Sequence, residues 1–160
     1  AQNPCPCGFL GDSVHRCSCK QSEIDSYKRK ISGPLMDRID MQINLSRVEF
    51  SELKTKEKGE SSAAIRERVV KARLLQQERL EALGMHCNAQ MGRSEVVKYC
   101  QLDAAAQNVM ERYFNMLNLS ARSHDRILKV ARTIADLAGS ENIEAVHLAE
   151  AIQLRTSVRP

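Results

Sequence analysis

Four of the six cysteines lie among the first twenty residues, in two close pairs with nine residues between them. The members of these pairs are Cys5, Cys7, Cys17 and Cys19. Four thiolates spaced in this way can surround a Zn²⁺ ion tetrahedrally, and Gly8 and Gly11 allow the loop between the pairs to fold back. Because four thiolates leave no open coordination position, the predicted zinc site is structural rather than catalytic.

Other interpretations of these thiols remain open from the sequence. Zinc sites more often have two residues inside each pair, and the thiols can instead form disulfides or stay reduced. Disulfides are rare in the cytosol, and nothing in the sequence indicates secretion. His15 lies between the pairs and can replace one thiolate, although a lone histidine in a loop is usually just solvated. Cys87 and Cys100 have no partner pattern and are expected to be small core residues.

Basic residues form a second group of candidate functional residues, because they could bind anions. A helix is predicted to begin near Ser120. Its residues Arg122, Arg126 and Lys129 fall within about 60° of one another. The simplest interpretation is a solvated basic face, but Arg122 lies in the first turn, where the helix dipole favours anions.

The sequence contains no complete active site. It has no GxxxxGK[ST] phosphate loop, and no acidic residue follows an apolar strand in a way that would hold Mg²⁺. The spacing supports no Ser/His/Asp or Cys/His catalytic arrangement.

Composition limits the functional classes further. The 160 residues carry 24 Lys and Arg against 20 Asp and Glu, a net charge of +4 that permits an anionic partner without requiring one. With three Tyr, three Phe and no Trp, a base-stacking platform is not expected. No apolar run approaches the roughly 20 residues that span a bilayer, so we expect a soluble, cytoplasmic protein without a membrane partner.

The segment 39–45 alternates apolar and polar residues, which predicts one β-strand. No second strand of similar quality occurs, and an isolated strand leaves its backbone groups unpaired. We therefore expect the chain, which begins with Ala1, to be the C-terminal piece of a larger protein. Arg38 directly precedes the segment, beside Asp37 and Asp40, where a surface ion pair is its simplest interpretation.

The rest of the sequence predicts helices. A short polar helix is expected over 21–31, a charged linker over 49–61, and further helices over about 62–83, 94–100, 120–138 and 144–156. Asp103 is expected to cap another helix, with Met110, Phe114 and Leu117 on one face. Gln76 and Arg79 interrupt the apolar face of the 62–83 helix, so they are expected to bond to another element. The predicted members of that face are Ile65, Val69, Ala72, Leu75, Leu80 and Leu83.

Three motifs together resemble one known family. They are Asn3-Pro4-Cys5-Pro6-Cys7-Gly8, the segment ISGPLMDRID over 31–40, and Leu119-Ser120-Ala121-Arg122 followed by RILKVARTIADL over 126–137. In this order, over essentially the whole chain, they closely resemble the magnesium-chelatase-like AAA+ ATPases of bacteria, the ComM/YifB competence-protein group. The resemblance covers the C-terminal third of such a protein, which implies that the phosphate loop and the Mg²⁺-binding acidic segment precede Ala1.

The resemblance implies a role for three residues. Asn3 resembles the sensor-1 Asn that positions the attacking water near the γ-phosphate. Arg38 resembles the arginine finger that reaches the nucleotide of the neighbouring subunit, and Arg122 resembles the sensor-2 Arg, which binds the nucleotide from the helical lid. The sequence departs from the family pattern after Arg122, where His124-Asp125 stands in place of an expected small or aromatic residue, and this departure affects none of the three roles.

The fold class expected from this resemblance is mainly α. Residues 1–48 would form the C-terminal end of an AAA+ core, with the zinc loop and one strand, 49–61 a linker, and 62–160 a helical-bundle lid. The implied function is ATP hydrolysis in a homo-oligomeric ring, expected to be a hexamer, coupled to DNA remodelling such as branch migration. ATP and Mg²⁺ would bind only in the full-length protein. The alternative is a stand-alone zinc-stabilised helical module that binds nucleic acid or protein without catalysis.

Overall fold

The regular structure of the described residues is helical. The computed structural model describes residues 1–30, 33–36, 38–45, 48 and 59–156, so most of the predicted linker over 49–61 lies outside it. No helix in these ranges is both long and apolar enough to cross a membrane. The helices are α1 (Gln21–Arg29), α2 (Gly33–Met36), α3 (Ser62–Leu80), α4 (Arg93–Tyr99), α5 (Ala104–Leu117), α6 (Ala121–Ala138) and α7 (Ala145–Thr156), with 3₁₀ turns at Glu81–Leu83 and Asn88–Gln90.

The chain divides into two units. We call the first, which comprises Ala1–Ile39 and Asn44–Lys56, the cysteine-loop unit. We call the second, which comprises Asp40–Ile43 and Glu57–Pro160, the helical unit. The predicted mainly α fold is confirmed by the described helices of both units.

Local signals set the ends of the helices. The side chains of Asp103 and Ser120 accept hydrogen bonds from backbone N–H groups in the first turns of α5 and α6, as expected for N-caps. Gly84 follows the 3₁₀ turn after α3 with a φ of 68°, and Gly139 ends α6 with a φ of 70°. Both glycines adopt the left-handed conformation that terminates helices at little steric cost. The predicted cap of α5 at Asp103 is therefore confirmed, and the predicted boundaries of α6 and α7 agree with the structure to within one residue.

The core of the helical unit is built around α6. This helix contacts α3, α4 and α7, while α5 packs against α7. Ile127, Ala131 and Ala135 of α6 are buried, whereas Ala138 is exposed. Cys100 is a core residue, while Cys87 is only partly buried. The other large fully buried apolar side chains are Leu80, Met91, Val96, Ile143, Leu148 and Ile152.

The prediction that one apolar face of α3 packs into the core is wrong for most of the residues of that face. Ala72 and Leu80 are buried with Gln76 between them, but Ile65 and Val69, on the same side, are 41% and 44% exposed. The reason is that every residue of α3 over 62–71 is exposed, so only the C-terminal half packs against the rest of the unit. Leu75 and Leu83 are exposed as well. Residue type alone cannot reveal where along a helix the packing begins.

The β-strand predicted over 39–45 is not formed. The structure assigns no regular secondary structure there, and it contains no strand elsewhere in the described ranges. A strand is defined by hydrogen bonds to a neighbouring strand, and alternation of side chains does not supply that neighbour. Within this segment, the N–H of Gln42 instead donates to the carbonyl oxygen of Leu154 in α7, at 2.6 Å.

Candidate functional site

The four N-terminal cysteines form one tight cluster. The Sγ atoms of Cys5 and Cys7 are 3.4 Å apart, those of Cys5 and Cys17 are 3.7 Å apart, and those of Cys7 and Cys17 are 3.6 Å apart. With Cys19 included, all four Sγ atoms lie within 4.8 Å of one another, and all four residues are free thiols. Tetrahedral metal–sulfur bonds of about 2.3 Å place sulfur atoms about 3.8 Å apart. The cluster therefore has the dimensions of a four-thiolate metal site.

Turns in the loop bring the two pairs together. The N–H of Gly8 donates to the carbonyl oxygen of Cys5 at 3.0 Å, which closes a turn that contains the first pair. Gly8 and Gly11 have φ values of 84° and 82°, a left-handed conformation that side chains disfavour. Asp12 then accepts hydrogen bonds from the N–H groups of Val14 and His15, both at 2.7 Å. The predicted fold-back at the two glycines is confirmed.

The four thiols are not equivalent. Backbone hydrogen bonds from Phe9 and Ser18 lower the pKa of the Cys7 thiol to about 5. A backbone hydrogen bond from Cys7 also favours the Cys19 thiolate, but desolvation and the neighbouring thiols outweigh it and raise the pKa of Cys19 to about 12. Several thiolates so close together repel one another, and a bound cation compensates that repulsion. The donor set thus fits a thiolate-binding metal.

His15 is not part of the metal-binding group. Its ring stacks on Phe9 with 4.9 Å between ring centroids, and its Nδ1 atom lies 3.8 Å from the Asp12 carboxylate. The group of possible ligands in the described ranges consists of cysteines alone. The structure therefore gives no support to His15 as a replacement ligand.

Asn3 and Arg38 both belong to the cysteine-loop unit. Asn3 is exposed, and its side-chain nitrogen lies 3.8 Å from the position that a Cβ atom would take on Gly8. Arg38 is exposed, and its N–H donates to the carbonyl oxygen of Leu35 at 2.9 Å, in the turn that follows α2.

Arg122 belongs to the helical unit and lies in the first turn of α6. Its neighbour Ser123 is held from two sides. The N–H of Ser123 donates to the Ser120 hydroxyl at 3.2 Å, and Arg155 of α7 donates to the Ser123 hydroxyl at 3.0 Å. Arg122 itself is exposed, and within the described ranges no hydrogen bond or ion pair engages its guanidinium. The hydrogen-bonded start of α6 thus presents an available positive charge.

The other cations of the predicted basic face have protein partners. Arg126 forms an ion pair with Asp40, and Lys129 donates to the carbonyl oxygen of Ala89 at 3.3 Å. The simple interpretation of these two residues as a solvated basic face is therefore incomplete, since each is tied to a specific neighbour.

A buried polar cluster joins α3 to α6. Arg79 donates to both carboxylate oxygens of Asp136, at 2.6 and 3.1 Å, and Asn88 donates to the same carboxylate at 2.8 Å. Gln76 accepts a hydrogen bond from the N–H of Asn88 at 3.3 Å. Hydrogen bonds to Asp136 raise the pKa of Arg79, which stays charged. The prediction that Gln76 and Arg79 bond to another element is confirmed.

Arg132 is a member of this cluster that the sequence reasoning missed. Its Nε donates to Asp136 at 3.0 Å, and its other nitrogens donate to the carbonyl oxygens of Ser140 and Glu141 at 2.6 and 2.7 Å. Arg132 and Asp136 are four residues apart, a spacing that places both on one face of a helix. That spacing was the available signal, and it identifies a structural cluster rather than a ligand site.

Comparisons with known protein families match both units to the same protein subunit. Residues 1–53 match the family described as magnesium chelatase, subunit ChlI, and 59–155 match the C-terminal family of the same subunit. The chain is 39% identical to competence protein ComM of Haemophilus influenzae over 160 residues, 99% of this chain. It is 36% identical to the uncharacterized protein YifB of Escherichia coli over 97% of this chain. In both cases the chain spans 30% of the length of the relative.

Proposed function

Because the chain belongs to the magnesium chelatase subunit ChlI family, we propose that it supplies phosphate-facing residues to a ring-forming AAA+ ATPase. The chain spans 30% of the length of its relatives and has no GxxxxGK[ST] motif, so in this proposal other residues of a longer protein hold ATP and Mg²⁺. The partners are neighbouring copies in a homo-oligomeric ring, proposed to be a hexamer.

The observation that carries this proposal is the position of Arg122. It projects from the first turn of α6, it is exposed, and no described side chain neutralises it. A guanidinium beside a helix N-terminus is suited to binding phosphate, since the charge and the helix dipole act in the same direction. We assign Arg122 the sensor-2 role, in which a lid residue binds the nucleotide and stabilises the charge that develops during phosphoryl transfer.

Arg38 and Asn3 complete the proposed set. Arg38 is exposed beside a short turn, which suits a residue that reaches the nucleotide of an adjacent subunit. An arginine supplied in trans can raise the rate of phosphoryl transfer by stabilising transition-state charge. Asn3 would orient the attacking water through its amide group, which lies beside Gly8.

The metal is proposed to be Zn²⁺ with a structural role. The distances of 3.4 to 3.7 Å between three of the Sγ atoms suit tetrahedral thiolate coordination. Such a site would fix the loop that carries Asn3, because Asn3 precedes the ligand Cys5 by two residues.

DNA is the proposed substrate of the assembled ring. The support is the similarity to a protein whose name assigns it to competence, together with a net charge of +4 that tolerates a polyanion. The proposed activity is ATP-dependent remodelling of DNA, such as branch migration. A branched-DNA displacement assay with and without ATP tests this part of the proposal separately from ATP hydrolysis.

The ATPase roles are tested by substitution in the full-length protein. Arg38→Ala is expected to leave ATP binding nearly intact and to lower turnover by on the order of 10³-fold. Arg122→Ala should lower turnover and also weaken ATP binding, because a lid residue contacts the bound nucleotide. Arg66→Ala is the matched control, since Arg66 is an exposed arginine of α3 with no proposed role.

A mixing experiment tests action in trans. Subunits with Arg38→Ala are combined with subunits that lack the phosphate-loop lysine, so that some interfaces pair an intact finger with an intact phosphate loop. Recovery of turnover supports the proposal. Wild-type turnover of the Arg38→Ala ring would instead favour the alternative of a binding module whose arginines are ordinary surface residues.

A further inference from the structure

The first turn of α6 is attached to α7 by a buried polar contact. Ser123, which is 1% exposed, is the first buried residue of α6, and the first buried apolar residue, Ile127, lies a full turn later. Arg155 of α7, itself 5% exposed, donates to the Ser123 hydroxyl at 3.0 Å. The turn that carries Arg122 is thus anchored by a hydrogen bond from a buried guanidinium rather than by a buried apolar side chain.

The Ser123 hydroxyl also joins this contact to the N-cap of the helix. The Oγ atom of Ser123 lies 3.0 Å from the Oγ atom of the N-cap residue Ser120, and the N–H of Ser123 donates to the same Ser120 oxygen at 3.2 Å. The first N–H groups of a helix have no partner within the helix, so this turn depends on such contacts for its geometry. A hydrogen-bonded path therefore runs from Arg155 through Ser123 to Ser120, and these two serines flank Arg122 in the sequence.

The charge of Arg155 does not explain its place at this end of α6. The N-terminus of a helix carries partial positive charge, beside which a cation is unfavourable. Burial of a guanidinium also costs solvation free energy. A hydrogen bond from a charged donor is nevertheless short and directional, so it can define where the helix begins. The contact between Arg155 and Ser123 therefore favours a role in geometry.

We propose that Ser123 is a positioning residue that, by accepting the hydrogen bond from Arg155, fixes the first turn of α6 and so sets where the guanidinium of Arg122 projects. This inference rests on the proposed function, because Ser123 and Arg155 are buried and only Arg122 would contact the nucleotide. All of these residues belong to the helical unit. A misplacement of about 1 Å can lower a rate by about 10²-fold, so a small movement of this turn would be measurable.

The test uses the full-length protein with Ser123→Ala, Arg122→Ala, the double variant of these two, and Ser120→Ala and Ser120→Thr. Turnover and the Kd for ATP are measured for each at a temperature well below its Tm. Ser123→Ala should lower turnover about 10- to 100-fold and weaken ATP binding less than Arg122→Ala does. Ser120→Ala should act in the same direction, whereas Ser120→Thr keeps the hydroxyl and should stay within about two-fold of the wild type.

The matched control is Asp103→Ala. Asp103 caps α5 as Ser120 caps α6, and α5 carries no proposed phosphate-facing residue. Asp103→Ala should lower the Tm about as much as Ser120→Ala and change turnover less than about two-fold. A purely structural role of Ser123 predicts the same pattern for Ser123→Ala, namely a lowered Tm with wild-type turnover. That result would overturn the positioning role.

The double variant separates this inference from the proposed function. If Ser123 acts through Arg122, then Ser123→Ala causes no further loss of turnover in the Arg122→Ala background. Additive losses would overturn the positioning role while leaving Arg122 as the sensor-2 residue. Wild-type turnover and ATP affinity of Arg122→Ala would instead overturn the sensor-2 assignment. Should Ser123→Ala fail to fold, Ser120→Ala and its combination with Arg122→Ala decide in the same way, because Ser120 is exposed.

Discussion

The two units of the chain are stabilised in different ways. In the helical unit, Leu80, Ile127 and Leu148 belong to a continuous apolar core in which each is at most 1% exposed. Among the described residues of the cysteine-loop unit, only Cys5 and Ile24 are buried apolar residues. A small unit without a core generally needs a cross-link or a metal to remain folded. The cysteine cluster is suited to that role.

This difference in how the two units are stabilised affects the proposed phosphate-facing residues differently. Arg122 is presented by a helix whose position a packed core determines, so it does not depend on a cofactor. Asn3 lies in the loop that the cysteines would cross-link, so in this proposal its position would depend on a bound metal. Removing the metal should therefore affect one part of the proposed site and spare the other.

The largest expected effect is that of metal removal. The freshly purified chain should contain about one equivalent of zinc, and a strong chelator or Cys7→Ser should disorder the cysteine-loop unit, because structural zinc contributes about 10–16 kcal/mol of apparent binding free energy. Hydrogen exchange should then accelerate over 5–30 while 104–156 stays protected. Cys87→Ser is the control, since Cys87 lies outside the cluster.

Acidification should release the metal as the thiolates become protonated. Full protection of 5–30 in metal-free protein would show that the cysteine-loop unit, like the helical unit, stays folded without a metal.

The next effect concerns the buried polar cluster of the helical unit. Asp136→Ala leaves Arg79 and Arg132 without their shared carboxylate and should lower the free energy of unfolding by about 3–5 kcal/mol. Denaturant titration measures this loss. Asp125→Ala is the control, because it removes only solvent-accessible contacts, with Arg93 and with His124, and should cost less than about 1 kcal/mol. Equal losses for the two variants would mean that burial does not determine how much a carboxylate contributes to the free energy of unfolding in this unit.

Local features of the fold were predictable from the sequence. Asp103 and Ser120 identify helix starts, and Gly84 and Gly139 identify helix ends, because caps and left-handed glycines act on residues within one turn. The clustering of the four cysteines was predictable for the same reason, since the two pairs lie within fifteen residues of sequence. Each of these signals is complete within a short stretch of chain.

Long-range contacts were not predictable in the same way. The partner of Arg79 is Asp136, 57 residues away, so the sequence could indicate that Arg79 needs a partner without identifying it. The alternation over 39–45 predicted a strand, but pairing depends on a neighbour that local sequence does not contain. The ion pair between Asp40 and Arg126 spans 86 residues and had no local signal either.

A smaller effect is expected for the cap of α5. The carboxylate of Asp103 accepts a hydrogen bond from the N–H of Ala106 at 2.7 Å, so Asp103→Ala should lower the free energy of unfolding by about 1 kcal/mol. Asn108→Ala is the control, because Asn108 is exposed in the middle of α5 and alanine favours the helix. The same denaturant titration applies. An unchanged midpoint for Asp103→Ala would show that the start of α5 is set by packing alone.

The smallest effect is expected on the exposed half of α3. Val69 and Leu80 lie on one side of this helix, but Val69 is 44% exposed whereas Leu80 is fully buried. Val69→Ala should change the free energy of unfolding by no more than about 0.5 kcal/mol, because little apolar contact is lost and alanine favours the helix. Leu80→Ala, the matched positive control, should cost about 2–5 kcal/mol. A loss above about 1 kcal/mol for Val69→Ala in a monomeric sample would show that this half of α3 is packed at Val69, as the predicted apolar face requires.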